Sequence, residues 1–273
     1  MGGPLRALAS MLALMLAACS TTPAAPALKL RLPVVLLGEV HDNAAQHTLR
    51  LAAFEALLAS GARPALAMEQ FDRDKQPLID ALQAQTPPPD ADALVAAAGG
   101  AGWHWPHYKP FISAALAHRL PVMAANVGRE EARRVMRDGL AASGFNAAVP
   151  PELLAQQAQG IEASHCGMLD AATAGRMALA QVARDQFMAR VLQDHAARGV
   201  VLLAGNGHVR ADIGVPHWLP PAVRARSQAI GVLEDGDTLN AFDSRVFTVA
   251  QARPDPCERM RRTVPGPAPD IRR

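Results

Sequence analysis

The sequence has little of several residue types, and each scarcity excludes something. Basic and acidic residues almost balance, with a formal net charge of +2 over 273 residues, so no charge field favours nucleic acid or another acidic polymer as a partner. Lysine occurs only at positions 29, 75 and 109, which leaves arginine to carry nearly all of the positive charge. Aromatic residues make up 4% of the chain, and Tyr108 is its one tyrosine. No internal repeat of solenoid length occurs, which excludes a repeat architecture.

The apolar run near the N-terminus is too short to span a bilayer comfortably and has the features of an export signal. Arg6 supplies a positive charge, residues 7–18 form the apolar segment, and Leu16-Ala17-Ala18-Cys19 resembles a bacterial lipobox. This resemblance implies cleavage before Cys19, lipid on that cysteine, and a mature chain tethered to a membrane without crossing it. Because Ser20 follows instead of aspartate, we expect the periplasmic face of the outer membrane. The alternative is an ordinary secretory signal with an incidental cysteine.

Cysteine is scarce as well, since only Cys166 and Cys257 remain once Cys19 carries lipid. An even pair in an oxidising compartment favours a disulfide, which would tie the C-terminal segment to the middle of the chain. This hypothesis rests on parity and compartment alone. The triplet Ser164-His165-Cys166 does not predict a nucleophile, because sequence neighbours rarely point at one another and no glycine elbow surrounds them.

The rest of the chain alternates short apolar runs with helical segments, which predicts an α/β fold with a mostly parallel sheet flanked by helices. Apolar runs that predict strands lie at residues 33–37, 65–70, 121–126, 200–204, 229–234 and 245–250. The run at 33–37 lacks alternation, as expected of a strand buried on both faces, whereas the last two are candidates for closing strands and 245–250 for an edge. Helical residues between about 86 and 180 exceed what crossovers need and predict a smaller inserted helical lobe. The expected organisation is a signal peptide over 1–18, a flexible tether over 19–31, the α/β domain over 32–252, and a disordered tail over 253–273.

Ionisable side chains follow three of the predicted strands. Gly38-Glu39-Val40-His41 and Gly205-Asn206-Gly207-His208 share the pattern Gly-x-x-His, and Glu69 ends the second strand. Ligands of open α/β sheets collect at the carboxyl ends of strands, so these side chains converge there if their strands are neighbours. Glu39, His41, Glu69 and His208 form a ligand set for a divalent ion such as zinc, manganese or iron. They equally form a general acid/base set, with Arg184 on a long helix to orient a carboxylate.

The alternative is that these histidines are loop residues with a purely structural role, hydrogen-bonded to the backbone. Four ionisable residues at the ends of three buried strands are nevertheless hard to attribute to packing.

Together these motifs resemble the superfamily that contains the Tiki metalloproteases, the erythromycin esterases and the ChaN-type haem-binding lipoproteins. Within it, the two Gly-x-x-His motifs, Ala67-Met68-Glu69-Gln70, the Trp103–Pro110 segment and the Arg184–Met188 segment look like ChaN, and the matches extend from about Val34 to Trp218. The resemblance implies an α/β domain with a smaller helical one. It also implies haem in a pocket completed by a homodimer, with tyrosinate on the iron, and an outer-membrane haem receptor as a partner.

The Trp103–Pro110 segment allows that implication to be weighed, because it holds two of the three tryptophans and the one tyrosine. Haem needs apolar and aromatic walls, an axial ligand and cations for two propionates. The candidates in this segment for wall, axial or propionate roles are Tyr108, Trp105, His104, His107 and Lys109. The alternative is that the aromatic side chains only anchor a loop on the core. Haem would not be covalently attached, since no Cys-x-x-Cys-His motif occurs.

Two functional classes therefore compete. The first is a haem-binding lipoprotein of iron uptake or storage, favoured by the lipobox and Tyr108. The second is a divalent-metal-dependent hydrolase, favoured by the retention of Glu39, His41, Glu69, Arg184 and His208. Sequence places the haem-binding protein first.

Overall fold

The structure is a computed structural model that describes residues 28–31 and 33–258. In that part of the chain one parallel sheet has the order β3-β2-β4-β1-β5-β6. Its strands are β1 (Val34–Leu37), β2 (Ala65–Asp72), β3 (Val122–Asn126), β4 (Val200–Leu203), β5 (Ser227–Glu234) and β6 (Ser244–Thr248). The predicted α/β class with a parallel sheet is confirmed, and β6 forms one edge.

The central strands explain why their sequences do not alternate. All four residues of β1 and all four of β4 are buried, because helices cover both faces of the sheet. Val35 and Leu37 belong to the core on one face, whereas Val34 and Leu36 belong to the core on the other. After β1 the chain adds β2 and β3 on one side of it, and after β4 it adds β5 and β6 on the other. A ligand crevice is expected at the carboxyl ends beside such a switch point.

Helices form the two covering layers. They are α1 (Ala44–Ala59), α2 (Gln76–Gln83), α3 (Ala91–Ala98), α4 (Lys109–Ala117), α5 (Arg129–Asp138), α6 (Pro151–Ser164), α7 (Ala171–His195), α8 (Asn206–Val209), α9 (Val215–Trp218) and α10 (Pro221–Arg224). Helices α1 to α4 contribute to the core on one face, and the C-terminal half of α7 packs on the other. Asn43 caps α1 by accepting from the Gln46 N–H at 3.1 Å, a role that asparagine commonly fills at the start of a helix.

The helical residues between 86 and 180 fall on both sides of a strand. α3 and α4 precede β3 and pack against the main core, whereas α5, α6 and the N-terminal half of α7 follow it. This second group builds smaller cores of its own, around residues such as Val135, Leu153 and Val182. It forms a helical layer beside the carboxyl end of β3, and we call α5 to α7 the helical lobe.

Both ends of the described chain attach to the fold. Leu28 and Leu30, in the segment predicted as a tether, pack against the main core. At the other end Arg253 donates to Asp42 at 2.6 and 2.7 Å and to Glu234 at 2.7 and 2.8 Å. The predicted signal peptide, Cys19 and residues 259–273 lie outside the described residues. Among the described helices, none combines the length and apolar character that a bilayer crossing requires.

A disulfide joins Cys166, just after α6, to Cys257, with Cα atoms 5.5 Å apart and 91 positions between them in sequence. Residues 249–258 therefore form a strap that runs from β6 past Asp42 to the helical lobe. Closing so long a loop restricts the unfolded chain strongly.

Cys257→Ser should lower the free energy of unfolding by about 2–5 kcal/mol, because it releases that loop. Urea unfolding under oxidising conditions measures the loss. The double variant Cys166→Ser/Cys257→Ser is the matched control and should lose no more than the single variant. A single variant as stable as the wild type would show that the link does not form in solution.

Candidate functional site

A cleft of about 460 Å³ opens at the carboxyl ends of β1, β2 and β3, between α1 and the helical lobe. Its lining residues are His41, Asp42, Gln70, Asp72, Gly100, Ala101, Gly102, Trp103, His104, Tyr108, Asn126, Arg129 and Arg184. Two glycines let the strand ends approach one another there. A side chain at Gly38 would collide with Asn206 and the Ile230 carbonyl, and one at Gly205 would meet His41 Nε2.

Glu39 leaves β1 into a fully enclosed environment. Its carboxylate forms an ion pair with Arg50 of α1, whose side chain is also 0% exposed. Tyr108 donates its O–H to Glu39 Oε1 at 2.6 Å, and Arg50 Nη2 donates to the Leu37 carbonyl at 3.0 Å. A buried carboxylate needs a compensating charge and hydrogen bonds. Arg50 and Tyr108 therefore use most of the hydrogen-bonding capacity of the Glu39 carboxylate.

His41 is the imidazole that Glu39 orients. Its Nδ1 lies 2.7 Å from Glu39 Oε1, and its side chain is 46% exposed at the cleft. With the proton assigned to Nδ1 as the donor to the carboxylate, Nε2 keeps its lone pair. A carboxylate behind an imidazole fixes the tautomer and the orientation of the ring. Trp103 packs edge-on against the ring, with centroids 5.0 Å apart.

A second group of charges connects β2, α7 and α8. His208 places Nδ1 2.6 Å from Asp185 Oδ1 and Nε2 3.6 Å from Glu69 Oε1. Glu69 Oε2 accepts the Gly205 N–H at 2.7 Å. The imidazole of His208 therefore lies between two carboxylates. Gly205 lies between this group and His41, because its N–H binds Glu69 and its Cα faces His41 Nε2.

The electrostatics of this group follow from burial and opposite charge. Burial opposes the charged imidazole, yet Asp185 and Glu69 together raise the pKa of His208. Burial raises the pKa of Asp185 above its ordinary value. For Glu69 burial acts in the same direction, but His208, His41, the Gly205 N–H and Arg184 lower its pKa overall. We infer a charged His208 between two carboxylates, a set able to hold or pass a proton.

His208→Gln should destabilise the protein by about 3 kcal/mol near neutral pH, because it leaves Asp185 buried without its counter-ion. The raised pKa of Asp185 would then rise further, so the folded variant takes up a proton that the unfolded chain does not. Below about pH 6 the unfolded histidine is charged as well, so His208 gives the wild type no further gain there, and the deficit of the variant should shrink as the pH falls from about 6 to about 4.5. Urea unfolding at about pH 7, 6 and 4.5 measures both effects. His217→Gln, at an exposed histidine, is the control, and a pH-independent deficit would contradict this account.

The expectation that Glu39, His41, Glu69 and His208 bind a divalent ion is not supported. In the described residues, no three His, Cys, Asp or Glu side chains are placed to hold one. The four side chains do approach one edge, because β2, β4 and β1 are neighbours. Arg50 and Tyr108 occupy Glu39, while Asp185 and the Gly205 N–H engage His208 and Glu69.

The aromatic segment divides between the cleft and the core. Tyr108 and His104 line the cleft together with Trp103. Trp105 instead packs on Phe71, with centroids 5.2 Å apart, and donates Nε1 to the Gly100 carbonyl at 3.1 Å. That contact corresponds to the loop-anchor alternative for this one residue.

The remaining two candidates of the segment lie away from the cleft. His107 stacks on His47 with centroids 4.2 Å apart, and burial with the neighbouring imidazoles lowers the pKa of His107 to about 4. Lys109 forms an ion pair with Asp92.

Sequence reasoning missed Arg50, Asp185 and Arg129 as members of the site. Arg50 lies within the helical pattern of α1, where its polar character was the only available signal. Asp185 follows Arg184 directly, and two adjacent charges in an otherwise buried helix were a usable signal. Arg129 begins a charged helix that reads as a solvated face.

The fold and the cleft define an α/β protein with a ligand crevice at the carboxyl edge of a parallel sheet, closed on one side by a helical lobe. Residues 30–219, more than half of the chain, match the family described as haem-binding uptake, Tiki superfamily, ChaN. The chain belongs to that family.

Similarity to solved structures agrees with the fold. A solved structure of ChaN from Campylobacter jejuni with cofacially bound haem aligns with a TM-score of 0.63 and 22% identity, over 74% of this chain and 82% of that one. A succinoglycan biosynthesis protein and an erythromycin esterase in its open conformation align with TM-scores of 0.43 and 0.39, at 14% and 12% identity. Each covers 74% of this chain, with 66% and 70% of the respective structures. None of the curated proteins matches.

Proposed function

We propose that this protein binds haem in the carboxyl-edge cleft and acts in haem or iron uptake or storage. The observation that carries the proposal is the lining of that cleft, which offers an aromatic wall, an oriented imidazole and two guanidinium groups in one place. Membership of a haem-binding family and the fold shared with a haem-bound ChaN structure support it. Haem requires these three kinds of group.

The residues present fit a haem group. Trp103 supplies aromatic surface with the Tyr108 ring buried behind it, and Arg129 and Arg184 supply positive charge for the propionates. Asn126 donates to Asp72 at 2.9 Å, and its buried Oδ1 has no hydrogen-bond partner within the described residues. A buried acceptor without a partner is costly unless a ligand or water supplies the donor.

The geometry of the cleft and the family resemblance favour different axial ligands for the haem iron. Tyr108 is 0% exposed, donates to Glu39, and has its pKa raised by burial, so ligation by its phenolate requires the ring to leave the core and lose a proton. His41 needs neither step, because Nδ1 is held by Glu39 and the ring is half-exposed at the cleft. We therefore propose His41 as the ligand, with Tyr108 as the competing prediction. Bound haem would supply an iron centre to either side chain.

We further propose a lipid anchor on Cys19, an outer-membrane location, a homodimer and transfer of haem from an outer-membrane receptor. The lipobox supports the anchor. The dimer is supported by the open side of the cleft, where Gly100, Ala101, Gly102 and His104 are exposed. A second copy placed there would cover the face of haem that one cleft leaves in water.

Titration of the purified mature protein with haemin tests the proposed function. The visible spectrum should change saturably, with affinity in the micromolar range or tighter as expected of a specific site, roughly 8 kcal/mol or more. Arg129→Gln/Arg184→Gln should weaken binding, whereas Arg134→Gln/Arg137→Gln, an exposed pair with the same loss of charge, should not. A spectrum that never saturates would contradict haem binding.

A further inference from the structure

An arginine precedes five of the six strands of the described chain at the amino edge of the sheet, opposite the cleft. Each arginine lies one to three positions before the first residue of the strand that follows. They are Arg31 before β1, Arg63 before β2, Arg119 before β3, Arg198 before β4 and Arg226 before β5. We call these five residues the basic edge.

The strand register places the basic edge on one line. Val34 pairs with Val200 and with Ser227, and Ala65 also pairs with Val200. Leu66 pairs with Val122. All five strands therefore begin within one residue of the same level, and with a strand spacing of about 4.8 Å the row extends for roughly 19 Å.

These guanidinium groups are exposed and keep their charge available. Arg63 donates to the carbonyls of Leu58 and Ala62 at 3.0 and 2.7 Å, and Arg198 donates to the carbonyl of Arg63 at 3.2 Å. Within residues 28–31 and 33–258, no member of the basic edge forms an ion pair with a carboxylate. The elements next to the five arginines of the basic edge carry only four carboxylates: Glu55, Asp80, Asp194 and Asp243. Asp243 is held by Arg224 at 2.7 Å.

The carboxyl edge differs in that its charges are mixed and largely paired. Carboxylates at or just beyond the carboxyl ends of the strands are Glu39, Asp42, Glu69, Asp72, Glu234, Asp235 and Asp237. Arg50 pairs with Glu39, and Arg253 pairs with Asp42 and Glu234.

The position of the N-terminal segment indicates what the basic edge contacts. Residues 28–31 enter the fold at this edge, where the Arg31 N–H donates to Gln228 at 2.9 Å. Nine positions separate Leu28 from Cys19, and nine residues reach at most about 30 Å. A lipid on Cys19 would hold the basic edge within that distance of the bilayer, closer than the carboxyl edge.

We propose that the basic edge is a docking surface for the anionic headgroups of a phospholipid membrane. The inference rests on the lipid anchor of the proposed function, and it adds an orientation that the anchor alone does not give. Clustered arginines next to a membrane tether are attracted to anionic lipid, at about fivefold in partitioning per residue. With the basic edge on the membrane, the haem cleft opens away from it.

Flotation of the mature chain beginning at Ser20, which carries no lipid, tests the surface separately from the anchor. The chain should bind vesicles of phosphatidylcholine mixed with phosphatidylglycerol and should dissociate from them in high salt. It should not bind vesicles of phosphatidylcholine alone. Arg63→Gln/Arg198→Gln/Arg226→Gln should weaken binding at least about tenfold. The matched control, Arg133→Gln/Arg134→Gln/Arg137→Gln, removes the same charge from exposed positions on α5 and should weaken it less than about twofold.

Equal losses in both triple variants, or no binding to anionic vesicles, would overturn the proposal. Preference for duplex DNA over the vesicles in competition would overturn it too, in favour of a nucleic acid partner. Unchanged haemin titration of the variants shows that they are folded. Failure of the anchor itself would appear elsewhere, as absence of palmitate labelling at Cys19 in the full chain.

Discussion

Arg50→Met should destabilise the protein by about 3–5 kcal/mol, the largest stability effect that we expect of a single substitution near the site. Arg50 and Glu39 are both 0% exposed at the side chain and neutralise one another. Methionine fills similar volume but leaves the carboxylate buried without a counter-ion, and it removes the donor to the Leu37 carbonyl. Since a typical domain has only about 5–15 kcal/mol of stability, much of the variant should be unfolded in mild urea. Circular dichroism during urea titration measures the loss.

The double variant Glu39→Gln/Arg50→Met separates lost charge from lost packing. Removing both charges of a buried pair is often nearly neutral, so the double variant should recover at least half of the stability that the single variant loses. Tyr108 can still donate to the glutamine carbonyl at the position of Glu39 Oε1. A double variant as unstable as the single one would mean that Arg50 acts through its shape, and the ion pair would not be the cause.

His41→Ala should cause the largest loss of haem affinity. Loss of a residue that only supports a ligand costs roughly 10- to 100-fold, and loss of the axial ligand itself should exceed that. The visible spectrum of the remaining complex should also change, because the nitrogen ligand is gone. Haemin titration followed by absorbance measures both quantities, and the exposed variant His217→Ala is the control.

Tyr108→Phe decides between the two ligands. It keeps the ring in the core and removes one hydrogen bond to Glu39, so it should weaken binding modestly and leave the type of spectrum unchanged. If Tyr108→Phe instead abolishes an oxygen-ligated, high-spin spectrum while His41→Ala leaves it intact, the tyrosine ligation implied by the family resemblance is right. In that case Tyr108 leaves the core on binding.

The sheet could be predicted because its signals are local. Buried strands such as Val200–Leu203 are short, apolar and followed by glycine, and Asn43 marks the start of α1 in the sequence itself. The approach of Glu69 and His208 also followed from sequence, because carboxyl ends of neighbouring parallel strands meet. What decided their chemistry was not local. Asp185 contacts His208 across 23 positions and Tyr108 contacts Glu39 across 69, and no pattern within either segment indicates such a partner.

Glu39 shows the limit most clearly. Its place after β1 was predictable, but the presence of Arg50 beside it depends on which side of α1 faces the sheet. A carboxylate that reads as a free ligand in sequence is therefore occupied in the fold. Trp105 was predicted to line a haem pocket because it is aromatic. In the fold it packs against Phe71 instead.

The strap formed by residues 249–258 has a consequence for the order in which the molecule is completed. Arg253 holds Asp42 at the rim of the cleft, and Cys257 bonds to the helical lobe. Chains are made from the N-terminus, so the residues that fasten this side of the cleft are made after every strand of the described sheet. The rim can therefore be fastened only after the sheet that carries the cleft has been made.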